Sequence, residues 1–107
     1  MRNCREEFLD EVNGHDLLCA IIYDEDPEPD YRDEPLEPKA ILKPEYSPND
    51  LSEFIQKLNF EYDSGYGSQH VFGIIWYKDG TWSERGEYDG AEWWEYKSCP
   101  AIPDALK

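Results

Sequence analysis

The chain has 107 residues, with 25 Asp and Glu against 10 Lys and Arg, and a formal net charge of −15. Its length suits one domain with one modest core, and its 15 % aromatic content argues against a wholly disordered chain. The acids are spread over both halves, which disfavours direct binding to nucleic acid or to an anionic membrane, unless metal ions or basic patches intervene, and favours a basic partner.

At the N-terminus, Asn3 with Glu6 three residues on is a capping-box pattern and predicts a short first helix. Phe8, Leu9 and Val12 fall on one side of it, and Asn13-Gly14 supplies a left-handed stop. Leu17–Tyr23 then reads as a strand covered on both faces, with a buried helix as the alternative, since periodicity alone does not separate the two. Cys19 lies in this run and is expected to be a buried, reduced thiol. Cys4, Cys19 and Cys99 make an odd set with no metal-finger spacing. The N-terminus lacks an apolar signal core, and the longest apolar run is too short to span a bilayer. A cytoplasmic protein in a reducing compartment is the expectation.

Residues 24–38 carry eight acids, one base and four prolines. Repeated proline blocks helix interiors and central strands, so an extended, mobile loop is expected. It is either a solvated insertion or an acidic arm that engages a partner through Asp24, Glu25, Asp26, Glu28 and Asp30. Asp24, Asp26 and Glu28 resemble calcium ligands, but Pro27 and Pro29 interrupt them and the glycine of a calcium loop is missing. No metal site and no cofactor are expected.

Ser47 as N-cap, Pro48 at the first helical position and Asp50 in the first turn predict the second helix. Leu51, Phe54, Ile55 and Leu58 give it a single apolar stripe. His70–Tyr77 reads as a second apolar strand, and Asp79-Gly80 and Asp89-Gly90 mark hairpins joining it to strands at Thr81–Tyr88 and Glu92–Ser98. The expected fold is a single α+β domain over 1–107, in order α-β-α-β-β-β. Its sheet is four-stranded and mixed, a C-terminal antiparallel meander with strand one parallel to strand two. Strand one would then be an edge, covered by the first helix or by a second copy in a homodimer.

No catalytic signature is present: no nucleophile elbow, phosphate loop, zinc-protease helix or dinucleotide fingerprint. His15 and His70 sit near element ends and read as surface or turn residues. With 25 acids, any carboxylate pair is close to a chance event, so no enzyme and no catalytic residue are expected. The aromatics carry more information. Trp76, Tyr77, Trp82, Tyr88, Trp93, Trp94 and Tyr96 all fall in the meander. Only one sheet face can be buried on the second helix. The other would show Trp or Tyr among Glu84, Glu87, Glu92 and Glu95, a surface suited to Arg and Lys. Cross-strand packing alone is the competing account. Trp93 and Trp94 are adjacent and must point to opposite faces.

The spread acidity and the block from Trp82 to Tyr96 resemble small acidic proteins of tailed bacteriophages. The resemblance covers about the last third of the chain. By analogy of size and charge it implies an inhibitor of the anti-restriction or anti-CRISPR kind, some of which imitate the phosphate pattern of DNA. The expected function is therefore a non-enzymatic inhibitor that occupies a basic, nucleic-acid-binding surface of a host defence protein. The alternatives are an adaptor that recognises basic peptides through the aromatic and acidic sheet face, or a small ligand-sequestering protein.

Overall fold

The computed structural model describes residues 2–27, 36–63 and 68–106. In chain order the elements are β1 (Arg2–Asn3), α1 (Cys4–Val12), β2 (Leu17–Tyr23), β3 (Ala40–Leu42), α2 (Pro48–Lys57), β4 (Glu61–Tyr62), β5 (Phe72–Tyr77), β6 (Trp82–Tyr88) and β7 (Ala91–Lys97), with a final 3-10 turn at Asp104–Leu106. The class is α+β, as the residue patterns indicate.

Both helices start where their capping chemistry dictates. The Asn3 side-chain oxygen accepts the Glu6 amide at 3.1 Å, and Gly14 (φ 85°) follows the helix in the left-handed region. Ser47 and Asp50 form a complete capping box: the Ser47 hydroxyl accepts the Asp50 amide at 3.1 Å, and the Asp50 carboxylate accepts the Ser47 amide at 3.0 Å. Phe54 and Leu58 bury the stripe of α2, with Leu51 and Ile55 packed against the same core.

The main sheet departs from the expected four mixed strands. Among the described residues it has five, in the order β3-β2-β5-β6-β7, and every neighbouring pair is antiparallel. The additional strand is Ala40–Leu42, only three residues long, which is too short for a period-2 pattern to register. Strand β2 is antiparallel to β5, not parallel. The chain first returns along β2 as β3, and α2 then crosses over to β5, so the crossover links β3 to β5. β2 is thus an interior strand, covered at its edge by β3 rather than by α1 or a second copy. A separate pairing of β1 with β4 ties the N-terminus to the chain after α2.

One face of the sheet packs on the helices. Phe8, Ile22, Leu42, Phe54, Leu58, Ile75 and Tyr77 are at most 2 % exposed, and the Phe8 and Phe54 rings meet edge-on at 5.2 Å. Alternation along β2 sends Ala20 and Ile22 into this core and leaves Cys19 on the other face, only half-buried. The fully buried thiol is therefore Cys4, not Cys19, and all three cysteines are free. Asp89 (φ 52°) and Gly90 (φ 87°) are both left-handed, the two-residue primed turn that sets the β6–β7 register.

Candidate functional site: the open face of the sheet

The register builds ordered rows on the face away from the helices. One row runs Ile41, Ile21, Ile74, Glu84, Glu95 from β3 to β7. The next runs Cys19, Trp76, Trp82, Lys97. The face therefore grades from aliphatic at β3 and β2 to aromatic and acidic at β6 and β7. Ile41 is 51 % exposed and Trp76 39 % exposed, so among the described residues these two side chains reach solvent.

Glu84 and Glu95 are direct cross-strand partners. Like charges placed this way repel. Three side chains counter the repulsion. Lys97 Nζ lies 2.8 Å from Glu84 Oε1 and 3.7 Å from Glu95 Oε2. The Trp82 indole N–H donates to Glu84 at 3.2 Å, and that of Trp93 donates to Glu95 at 2.9 Å. The result is a Trp–Glu–Lys–Glu–Trp array carrying net charge −1. The hydrogen bond from Lys97, then that from Trp82, holds the Glu84 carboxyl below the usual carboxylate range, and Glu84 in turn raises the Lys97 ammonium. Gly86 completes the arrangement. A Cβ there would lie 2.7 Å from both Trp93 Nε1 and Glu95 Oε1, so a larger residue would displace these side-chain ends from their present positions. Such an array can receive a guanidinium or ammonium group by charge-assisted hydrogen bonds and by contact with indole faces.

The structure divides the residues expected to bind a partner. Glu84, Trp93 and Glu95 are on the open face. Glu87 is exposed but has the opposite alternation, and its carboxylate accepts the Gly90 amide at 3.2 Å within its own hairpin. Trp94 faces the helices, its ring 5.1 Å from the Arg85 guanidinium. Glu92 is corrected most strongly, being only 1 % exposed. Its carboxylate accepts the His70 and Val71 amides and an Arg85 N–H, each at 2.8 Å. The β5–β6 ladder covers only Ile74–Trp76, and Glu92 takes two amides of the chain just before β5. Glu84 and Glu87 differ in parity along one strand, as do Glu92 and Glu95. That signal in the sequence already shows that the four cannot share a face.

Around Glu92 the polar chain continues. Arg85 also donates to the Tyr62 hydroxyl at 3.0 Å, and that hydroxyl donates to Glu7. Burial first, then the bond to Glu7, pushes the Tyr62 hydroxyl upward. Sequence reading singled out neither Arg85 nor Tyr62, because only the fold brings them together. His15 stacks on both Tyr77 and Tyr96, with ring centroids at 4.4 and 4.7 Å, in a three-ring cluster in which the two tyrosines are 5.9 Å apart, and His70 Nδ1 lies 3.4 Å from Glu92. Ser83 donates to Glu11 at 2.6 Å but is fully buried, so this pair offers a reactant no access.

Of the acidic arm, Asp24, Glu25 and Asp26 border an open groove of about 520 Å³ beside Ser68, Gln69 and His70. Glu28, Asp30 and the mobility expected for most of the arm lie outside the described residues. Among the described residues, no three His, Cys, Asp or Glu side chains are placed to hold a metal, and no helix is long and apolar enough to cross a membrane. No family model, curated protein or solved structure matches this chain.

Proposed function

We propose that this protein is a non-catalytic inhibitor that binds, through the open face at β6 and β7, a basic and normally nucleic-acid-binding surface of another protein. The observation that supports this reading is the Trp82–Glu84–Lys97–Glu95–Trp93 array, which holds two carboxylates side by side between indoles on the sheet face away from the helices. A cleft that neutralises phosphates also attracts carboxylates, and a net charge of −15 accelerates the encounter at low salt. The partner would be a host defence protein met in the cytoplasm, and the mode one of competition with nucleic acid. An adaptor role is the second reading, favoured by the alternation of indole and carboxylate, which also suits an isolated Arg- or Lys-rich peptide.

The test is affinity capture from host lysate, identification by mass spectrometry, and competition. A captured basic protein should release its DNA or RNA when this chain is added, and the Glu84→Gln, Glu95→Gln double variant should compete poorly. Equal competition by the double variant would refute the assignment to this face. Capture of a protein that keeps its nucleic acid, together with direct binding of a basic peptide, would replace the inhibitor with the adaptor.

A further inference from the structure

The two edges of the main sheet are unlike. β3 has three residues, preceded by Pro38-Lys39 and followed by Lys43-Pro44. A short strand bracketed by lysine and proline is blunted against further pairing. β7 has seven residues and pairs with β6 along its whole length without a bulge. Among the described residues it is the last strand of the sheet.

The direction of its backbone groups follows from the turn. The two-residue loop at Asp89-Gly90 makes Tyr88 and Ala91 a hydrogen-bonded pair. Pairs alternate from there, so Arg85 with Trp94 and Ser83 with Tyr96 are non-hydrogen-bonded pairs. The amide and carbonyl groups of Trp94 and Tyr96 therefore point away from β6, toward the free edge. Among the described residues, no backbone bond outside the regular ladders involves either one. Lys97, the charge that would guard this edge, is drawn across the open face to Glu84 and Glu95.

We infer that the β7 edge is a strand-addition site for an extended, basic segment of a partner protein. The inference rests on the proposed reading that the partner is basic, and adds how it is held. Main-chain bonds form at Trp94 and Tyr96, and alternate side chains of the added strand fall on the open face beside Trp93 and Glu95. Charge selects the occupant. Pairing two copies edge to edge would bring two chains of −15 together, whereas Arg or Lys opposite Glu95 relieves the repulsion within the array.

The probe is a capped ten-residue peptide alternating Arg and Val, prepared with free amides and again with every second amide N-methylated. Charge is the same in both, and the protein is unaltered. Backbone amide exchange and indole N–H shifts are followed by NMR. At ten times its Kd, the free-amide peptide should slow exchange at the Trp94 and Tyr96 amides roughly tenfold. The N-methylated peptide should bind at least about tenfold more weakly. Equal affinity of the two peptides, no binding by either, or a sedimenting dimer protected at these amides without peptide would each overturn strand addition. The indole signals of Trp82 and Trp93 report the open face separately. If they shift with both peptides while the edge amides do not respond, strand addition fails and the open-face reading stands. If the edge amides respond and the indoles do not, strand addition stands and the open-face reading fails.

Discussion

Glu92→Gln isolates the energetics of the buried cluster. The substitution keeps the side-chain shape but removes the charge that faces Arg85, whose side chain is 2 % exposed. It also replaces one acceptor oxygen with a donor, and both carboxylate oxygens are occupied: Oε1 by Val71 and Arg85, Oε2 by His70. The NH2 group must then face either the His70 amide, or the Val71 amide and the Arg85 guanidinium together. Breaking a buried pair by removing one partner costs about 3–5 kcal/mol. A domain of this size has roughly 5–15 kcal/mol in all, so the variant should be barely stable, with a melting temperature lower by roughly 15–30 °C. Urea unfolding followed by tryptophan fluorescence reads the cost, and amide exchange at Val71 reads the local opening. Arg85→Met in the Glu92→Gln background should cost less than Arg85→Met alone, because the unpaired charge has already been created. A loss below about 1 kcal/mol, or strict additivity of the two changes, would show that water reaches the pair and that the burial argument is wrong. The same experiment separates structure from recognition, since Glu92→Gln should change stability without altering the salt dependence of partner binding.

Three further outcomes follow from the same geometry. Burial pushes the Cys4 thiol up to about 12, so in the native protein Cys99 should react with a thiol reagent at pH 8 while Cys4 stays protected until unfolding. Because that pKa is raised on folding, its stabilisation is complete below the unfolded thiol value near 9 and is lost as pH rises toward 12, on the order of a few kcal/mol; equal labelling of Cys4 and Cys99 would contradict it. Gly86→Ala should displace the Trp93 indole and the Glu95 carboxylate and shift the tryptophan emission, with a small stability change because both are side-chain ends on a half-exposed face, whereas an unchanged spectrum would mean that the close approach is not real. Partner binding should weaken as salt rises, mainly through slower association, and neutralising Glu84 with Glu95 should flatten that slope while Trp93→Ala speeds dissociation; salt-independent binding would sink the electrostatic account.

The residues marked several features correctly through local chemistry. Both helix starts were legible because N-capping uses neighbours three residues apart, and both hairpins because Asp-Gly supplies left-handed backbone at a fixed place. The opposition of Trp93 and Trp94 followed from alternation alone. The direction of β2 relative to β5 was not legible, because a three-residue strand between two prolines reverses the chain before α2 begins. Cys19 was misplaced for a related reason. An apolar run looks buried on both faces, yet only one face of β2 meets the helices.

The charge of −15, the capped helices, the tight turns and the aromatic content of the meander are properties of the sequence by itself, set by composition and by contacts within a few residues. Tertiary structure decided what each carboxylate does. Glu92 and Glu95 are three residues apart on one strand, and one is buried against Arg85 while the other stands between Lys97 and Trp93 on the open surface. Alternation separates such residues into two sets. Only the packing of the helices on one side of the sheet determines which set loses its water and must find a buried partner, and which keeps its charge available to another molecule.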